Sequence, residues 1–341
     1  MQNTTRRLVL ITTRVEPEWI ERLRQVSPDL EIQVQTGKKV EEIADDLWQR
    51  VEILYTLNAL PTPEQAPHLR WVQLYSAGAD RFLDHPLFQS QVTFTTASGV
   101  HAVNIAEYVF MMQLAWFHHL PLILREQQKG QWPENSVRKT LFDTRELRDQ
   151  TIGIVGYGSI GREVARLAKA FGMCVLAFQR SDDHHDHGFI FPGTGDPDGT
   201  LPDRYYKPEQ LHTLLSESDV VVVAVPLTAH TSGLFDEAAF NAMKRSALLV
   251  NIARGEVCDE QALIRALQEK RIAGAALDVL DQEPFPSDHP LWQQPNVMLS
   301  PHIAGGSTRY DERAMMIFTE SVRRYLAGQE LYNVVDKSQG Y

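Results

Sequence analysis

Thr151-Ile-Gly-Ile-Val-Gly-Tyr-Gly-Ser-Ile-Gly161 is the stretch whose reading decides the fold. Residues 151–155 read as a short buried strand and residues 162–170 as a helix, with Gly156, Gly158 and Gly161 spaced G-x-G-x-x-G between them. In that setting the first glycine allows a tight turn, the second lets backbone N–H groups approach a pyrophosphate, and the third lets helix and strand pack closely. The helix N-terminus adds the positive end of the peptide dipole. Gly156, Tyr157, Gly158, Ser159, Ile160 and Gly161 are therefore candidate dinucleotide-binding residues, with an ordinary glycine-rich βα turn as the plain alternative.

Outward from this loop, 341 residues leave room for two domains. A net charge of -11 gives no electrostatic support to a nucleic-acid or anionic-membrane partner, and an anionic substrate would need a local cationic site. Two cysteines, Cys174 and Cys258, make no disulfide framework and fit a reducing, cytoplasmic compartment. The apolar run 8–11 is too short for a leader and the run 220–225 too short to span a bilayer, so no membrane association is expected.

Before the loop, candidate strands at 8–12, 31–35, 53–57, 71–74 and 92–96 alternate with helical patterns at 18–25 and 40–50, as in a mostly parallel α/β sheet. Ser76-Ala77-Gly78-Ala79-Asp80 follows a strand, and glycine there can expose amides to an anion, although from these residues alone a plain turn is the stronger reading. A long helix from 104 to 118 carries Ile105, Val109, Met112 and Trp116 at helical spacing. A second helix, 122–129, leads through Gly130-Gln131-Trp132-Pro133 into a polar linker. Beyond the glycine loop, strands are expected at 173–178, 219–225, 247–252, 272–279 and 297–300, with helices at 208–216, 236–243, 259–269 and 307–327. Residues 182–207, rich in His, Asp, Gly and Pro, read as a surface loop. His184, His185 and His187 lie close together, but nothing nearby completes a ligand set, and no metal is expected.

Arg254, Glu283 and His302 each follow the C-terminal end of an expected strand, the edge that faces the cofactor crevice in a doubly wound sheet. Arginine offers a planar, permanently charged fork for a carboxylate and an adjacent carbonyl. Histidine carries a proton near neutral pH, and a carboxylate against it orients the ring and favours its protonated form. Together with a hydride source these are the parts needed to reduce a 2-oxo acid.

At these residues the chain resembles the D-isomer-specific 2-hydroxyacid dehydrogenases. The resemblance rests on residues 151–161, Val250-Asn-Ile-Ala-Arg-Gly255 with Asp259, Ala276-Leu-Asp-Val-Leu-Asp-Gln-Glu-Pro284 and Ser300-Pro-His-Ile-Ala-Gly305, with Ser76 to Asp80 and Gly99, Ala106 and Glu107 matching further motifs. It implies Arg254 as carboxylate and carbonyl binder, Glu283 as partner of the histidine, and His302 as acid/base. It implies Ser76, Ala77 and Gly78 as substrate-binding residues, and Val225, Pro226, Ile252, Ala253, Asp278 and Gly305 beside the cofactor, with Arg254 and His302. The implied architecture is α/β: two Rossmann- or flavodoxin-like doubly wound parallel-sheet domains with a cleft between them, assembled as a homodimer. Residues 1–103 with 305–341 form the expected substrate-binding domain and 104–304 the NAD(P)-binding Rossmann domain.

The chain departs from the family's common pattern at two places. An acidic residue that NAD users carry is replaced by Gln179-Arg180-Ser181, about 20 residues past the glycines. Arg180 and Ser181 suit a 2′-phosphate, so NADP(H) is the expected cofactor; NAD(H) is the alternative, since Asp182 and Asp183 follow at once. Residues 182–207 are longer than the family's pattern and have no role on this reading. The expected activity is hydride transfer between NAD(P)H and a small anionic 2-oxo or 2-hydroxy acid, of the glyoxylate or hydroxypyruvate reductase kind. Oxidation of an inorganic anion such as phosphite and dinucleotide sensing by a regulatory protein are the competing readings.

Overall fold

The computed structural model describes residues 6–130 and 132–337. Gln131, in the linker reading, and residues 1–5 and 338–341, at the ends of the first-domain reading, lie outside the described residues. The chain divides into two compact units. One takes the described residues through His101, His187–Phe189 and those from Ser307 onward; the other takes Ala102–Asp186 and Ile190–Gly306.

The first unit holds β1 (Arg7–Ile11), α1 (Pro17–Arg24), β2 (Leu30–Val34), α2 (Asp45–Arg50), β3 (Val51–Thr56), β4 (Trp71–Leu74) and β5 (Thr93–Thr95). Its five strands are parallel in the order β2-β1-β3-β4-β5. Alternation along the strands sends Val9, Ile11, Ile53, Tyr55 and Trp71 to one face, against Met315, Phe318 and Val322 of the C-terminal helix Tyr310–Leu326. Leu8, Leu10, Leu54, Val72 and Leu74 pack on the other face with Trp48, Phe88 and Phe94. The single helix expected over 40–50 is instead a 3₁₀ turn at Val40–Glu42 followed by α2. Ile43 and Ala44 are extended between them, and the side chain of Gln35 accepts from the Ala44 amide at 3.2 Å, taking the hydrogen that a continuous helix would use.

The second unit runs α3 (Ala102–Phe117), α4 (Leu120–Gln128), α5 (Asn135–Leu141), β6 (Thr151–Val155), α6 (Ser159–Ala170), β7 (Cys174–Phe178), β8 (Arg204–Tyr206), α7 (Leu211–Glu217), β9 (Val220–Val223), α8 (Glu237–Ala242), β10 (Leu248–Asn251), α9 (Glu260–Gln268), β11 (Gly274–Leu277) and β12 (Val297–Leu299). All seven strands are parallel, in the order β12-β11-β10-β9-β6-β7-β8, so the strand order reverses between β6 and β9. The four valines of β9 are all fully buried. Val221 and Val223 pack toward α7, α8 and α9, while Val220 and Val222 pack toward α3 and α6, which is why a central parallel strand reads as a continuous apolar run.

Two expectations change here. The polar linker contains α5, a short helix with no buried residue, so no apolar stripe marks it in the sequence. Residues 182–207 are not all loop: 204–206 form the edge strand β8, and Phe191 and Asp196 are buried. A three-residue strand after a Gly- and Pro-rich run carries almost no period to read.

Candidate active site

Because β10, β11 and β12 are adjacent and parallel, their C-terminal ends share one edge of the sheet, with neighbouring strands about 4.8 Å apart. Arg254 follows β10, Glu283 follows β11 and His302 follows β12. His302 Nδ1 lies 2.8 Å from Glu283 Oε2, with both side chains about half exposed. Facing a carboxylate, Nδ1 carries its hydrogen and donates, which leaves Nε2 as the nitrogen that can exchange a proton with a ligand. Glu283 is itself oriented, since its Oε1 accepts from the Leu280 amide at 3.2 Å. The Glu283–Pro284 peptide bond is cis.

The loop carrying His302 is built on Asp278, which is only 2% exposed. Its carboxylate accepts from Ser300 Oγ at 2.5 Å, the Ile303 amide at 2.9 Å and the Ala304 amide at 2.8 Å, while its backbone carbonyl takes the His302 amide at 2.9 Å. Burial pushes the Tyr108 phenol up to about 12, so it stays protonated and donates to Ser300 Oγ at 2.5 Å. His302 sits at φ 53, in the left-handed region that histidine enters more readily than most residues, and the Asp278 contacts on either side hold it there. The sequence reading places Asp278 beside the cofactor; its side chain is occupied by the histidine loop.

Arg254 is exposed, and its Nη1 donates to the Ala253 carbonyl at 2.7 Å. Its turn is braced by Asn251, 1% exposed, whose side chain accepts from the Ala253 amide at 3.0 Å and donates to the Arg254 carbonyl at 3.0 Å. A Cβ on Gly255 would lie 2.1 Å from the Leu280 carbonyl carbon and 2.3 Å from the Asp281 nitrogen. Glycine therefore lets the Arg254 turn press backbone to backbone against the segment leading to Glu283. The sequence reading gives Asn251, Ser300 and Tyr108 no role of their own, although Asn251 and Ser300 fall inside the quoted stretches 250–255 and 300–305.

The glycine loop fits a dinucleotide. A Cβ on Gly161 would stand 2.3 Å from the Gly156 carbonyl oxygen, and Gly156, at φ 109, abuts Ala224. At Gly158 an added Cβ would meet nothing within 4 Å, and no side chain caps the first-turn amides of α6. The helix N-terminus thus opens, uncapped, onto space suited to a pyrophosphate. Ser159, Ile160 and Gly161 form its first turn, whereas the Tyr157 ring is buried and turned away to hydrogen-bond Asp196 at 2.7 Å. Val225, Ile252 and Ala253 are nearly buried at the ends of β9 and β10, Pro226 is exposed, and Gly305 lies in the turn beyond His302. Arg180 and Ser181 are exposed just past β7.

In the first unit, Ser76 Oγ donates to the Gly78 carbonyl at 2.8 Å just past β4. Among the described residues, the Ala77 and Gly78 amides have no hydrogen-bond acceptor. The described residues contain no group of three or more His, Cys, Asp or Glu able to hold a metal, and no helix long and apolar enough to cross a membrane. His184 instead stacks on Tyr205, ring centroids 3.6 Å apart.

The family model for the D-isomer specific 2-hydroxyacid dehydrogenase NAD binding domain matches residues 110–304. A glyoxylate reductase of Korarchaeum cryptofilum is 34% identical over 277 residues, 80% of this chain and 78% of the relative. Among solved structures, a D-isomer specific 2-hydroxyacid dehydrogenase from Xanthobacter autotrophicus, in complex with NADPH and MES, is 26% identical with a TM-score of 0.76, covering 99% of this chain and all of that one. An NADPH-dependent glyoxylate/hydroxypyruvate reductase from Sinorhizobium meliloti, in complex with NADP and sulfate, is 25% identical with a TM-score of 0.73, covering 98% of this chain and all of that one. The chain belongs to the D-isomer-specific 2-hydroxyacid dehydrogenase family. It is an oxidoreductase of the nicotinamide-dependent kind that acts on 2-oxo and 2-hydroxy acids.

Proposed function

We propose that the protein reduces a small 2-oxo acid of the glyoxylate or hydroxypyruvate class, using NADPH in preference to NADH. The His302–Glu283 pair, 2.8 Å apart on the sheet edge that also carries Arg254, is the observation that supports this reading. The bound dinucleotide supplies the hydride. Arg254 takes the substrate carboxylate and draws charge from the neighbouring carbonyl through its planar fork. His302 gives its Nε2 proton to the oxygen that becomes the hydroxyl, and Glu283 stabilises the ring while it is charged. The Ala77 and Gly78 amides offer further donors for a carboxylate. A panel of 2-oxo acids tested with NADPH and NADH checks the substrate class; turnover confined to an inorganic anion such as phosphite would overturn it.

The cofactor preference rests on Arg180 and Ser181, in place of the acidic residue that would accept from a ribose 2′-OH. Arg180→Asp is expected to lower the NADPH-to-NADH ratio of kcat/KM at least tenfold, since it replaces an attractive charge with a repulsive one. A wild type that prefers NADH, or a ratio unmoved in the variant, counts against the assignment.

We also infer a homodimer. Met111, Leu120, Ile123, Leu124, Val137 and Leu141 are all exposed along α3, α4 and α5, and Trp132, between α4 and α5, is 86% exposed. A run of large apolar side chains like this marks an association surface. Sedimentation at micromolar concentration should give a species of dimer mass, and the double variant Leu124→Glu, Trp132→Ala should shift it to the monomer; a wild-type monomer refutes the assembly. Unpaired Cys174 and Cys258 suit a reducing compartment, and we place the enzyme in the cytoplasm.

A further inference from the structure

The insertion at residues 182–207 is built like a fixture. Asp196, 4% exposed, accepts from Tyr157 Oη at 2.7 Å and from the amides of Thr200 and Leu201 at 3.0 Å each. Arg162, also 4% exposed and in the first turns of α6, donates to the carbonyls of Asp196 at 2.7 Å and His184 at 2.8 Å. Glu163 takes the Gly195 amide at 2.7 Å. These contacts fasten the insertion to the glycine-loop helix, and the chain then returns as β8 beside β7.

That return brings the ends of the insertion together. Phe178 pairs with Tyr206, and the Gln179 amide donates to the Tyr206 carbonyl at 3.1 Å, so Lys207 lies level with the turn at Gln179 and Arg180. Lys207 Nζ reaches the Arg180 carbonyl at 3.1 Å and Asp182 Oδ1 at 2.5 Å. Its side chain is 30% exposed, while that of Asp182 is 96% exposed. The hydrogen bond from Lys207 holds the Asp182 carboxyl below its usual range. The Gln179 side chain spans the turn beneath, donating to the carbonyls of Ser181 at 3.0 Å and Asp183 at 2.9 Å. Ser181 Oγ accepts from the Asp183 amide at 3.0 Å, which leaves its hydrogen to donate.

We propose that Lys207 is the second cation of the 2′-phosphate site, joined to Arg180 and Ser181, and that Asp182 is a resident counter-ion which the phosphate displaces from it. This rests on the NADPH reading above. An ammonium is a point charge that can leave one anion for another without a fixed approach geometry. Asp182, almost fully in water, gains little by holding it, whereas a dianionic phosphate between two cations gains charge-assisted hydrogen bonds from both. The insertion thereby acquires a role: its anchored middle sets the return of β8, and the return sets Lys207.

The test is equilibrium binding by titration calorimetry of 2′,5′-ADP, with 5′-AMP as the reference ligand lacking the 2′-phosphate. Lys207→Met should weaken 2′,5′-ADP relative to 5′-AMP by about tenfold, and Lys207→Arg should restore most of the preference. Asp182→Asn, which keeps the fold of the turn and removes the competing charge, should tighten 2′,5′-ADP by a few-fold. If Lys207→Met fails to fold, the Asp182→Asn ratio decides alone, and an unchanged ratio there overturns the proposal. Were Arg180→Asp to abolish the preference while Lys207→Met and Asp182→Asn left it intact, the NADPH reading would stand and this assignment would fall. A preference unmoved in all of these variants would remove both.

Discussion

Replacing His302 with alanine is expected to lower kcat by about 10²–10⁴-fold, the usual worth of a positioned general acid. Binding of the dinucleotide, followed by nicotinamide fluorescence, should change little, because the glycine loop and the end of β7 are built from other residues. Glu283→Gln is the companion variant. It keeps the shape of the contact to Nδ1 but removes the carboxylate charge beside the ring, so its loss should be smaller than that of His302→Ala. Near-normal turnover in His302→Ala would end the assignment of this residue as the acid. Unchanged turnover in Glu283→Gln would show that the carboxylate charge contributes nothing beyond the contact to Nδ1.

Asp278→Ala is expected to be nearly as damaging, although Asp278 donates no proton in the proposed reaction. Its carboxylate is the acceptor for the Ile303 and Ala304 amides and the Ser300 hydroxyl. Removing it leaves three donors without their acceptor around a residue that is 2% exposed, at about 1–3 kcal/mol for each donor that stays buried and unsatisfied. The loop would relax to find new acceptors, taking His302 out of its left-handed conformation. A displacement of about 1 Å at the reacting groups is enough to cost about 10²-fold in rate. The informative comparison is kcat against thermal stability. Loss of kcat in a variant that still folds supports a positioning role, whereas lost stability with unchanged kcat would reduce Asp278 to a structural residue.

Much of the candidate site was legible because each of its parts sits next to a strong local signal. Arg254, Glu283 and His302 follow apolar strands, and parallel pairing of β10, β11 and β12 carries the ends of those strands to one edge. Gly156, Gly158 and Gly161 were legible for the same reason, since a tight βα turn has few ways to be made. What supports these residues was not. Asp278 and its partners at Ile303 and Ala304 are 25 and 26 positions apart, and Tyr108 is 192 from Ser300. No propensity or period links positions at such separations; the register of the sheet and the packing of α3 bring them together.

The insertion shows the division most sharply. Its composition reads as solvent-exposed loop, and at Asp182, Asp183 and His185 that is what the fold contains. Yet a buried carboxylate at Asp196 and a buried guanidinium at Arg162 bind it to the glycine-loop helix, and the two are 34 residues apart. Buried charge is tolerated only where hydrogen bonds complete it, so its presence depends on partners that composition does not report. From residue order alone come the parallel α/β architecture, the glycine loop and the residue types of the candidate site, because strand runs, glycine spacing and side-chain chemistry are local. The pose of His302, the bracing of Arg254 and the arrival of Lys207 beside Arg180 belong to the tertiary structure, because each depends on hydrogen bonds or register between strands and loops that only the folded sheet makes neighbours.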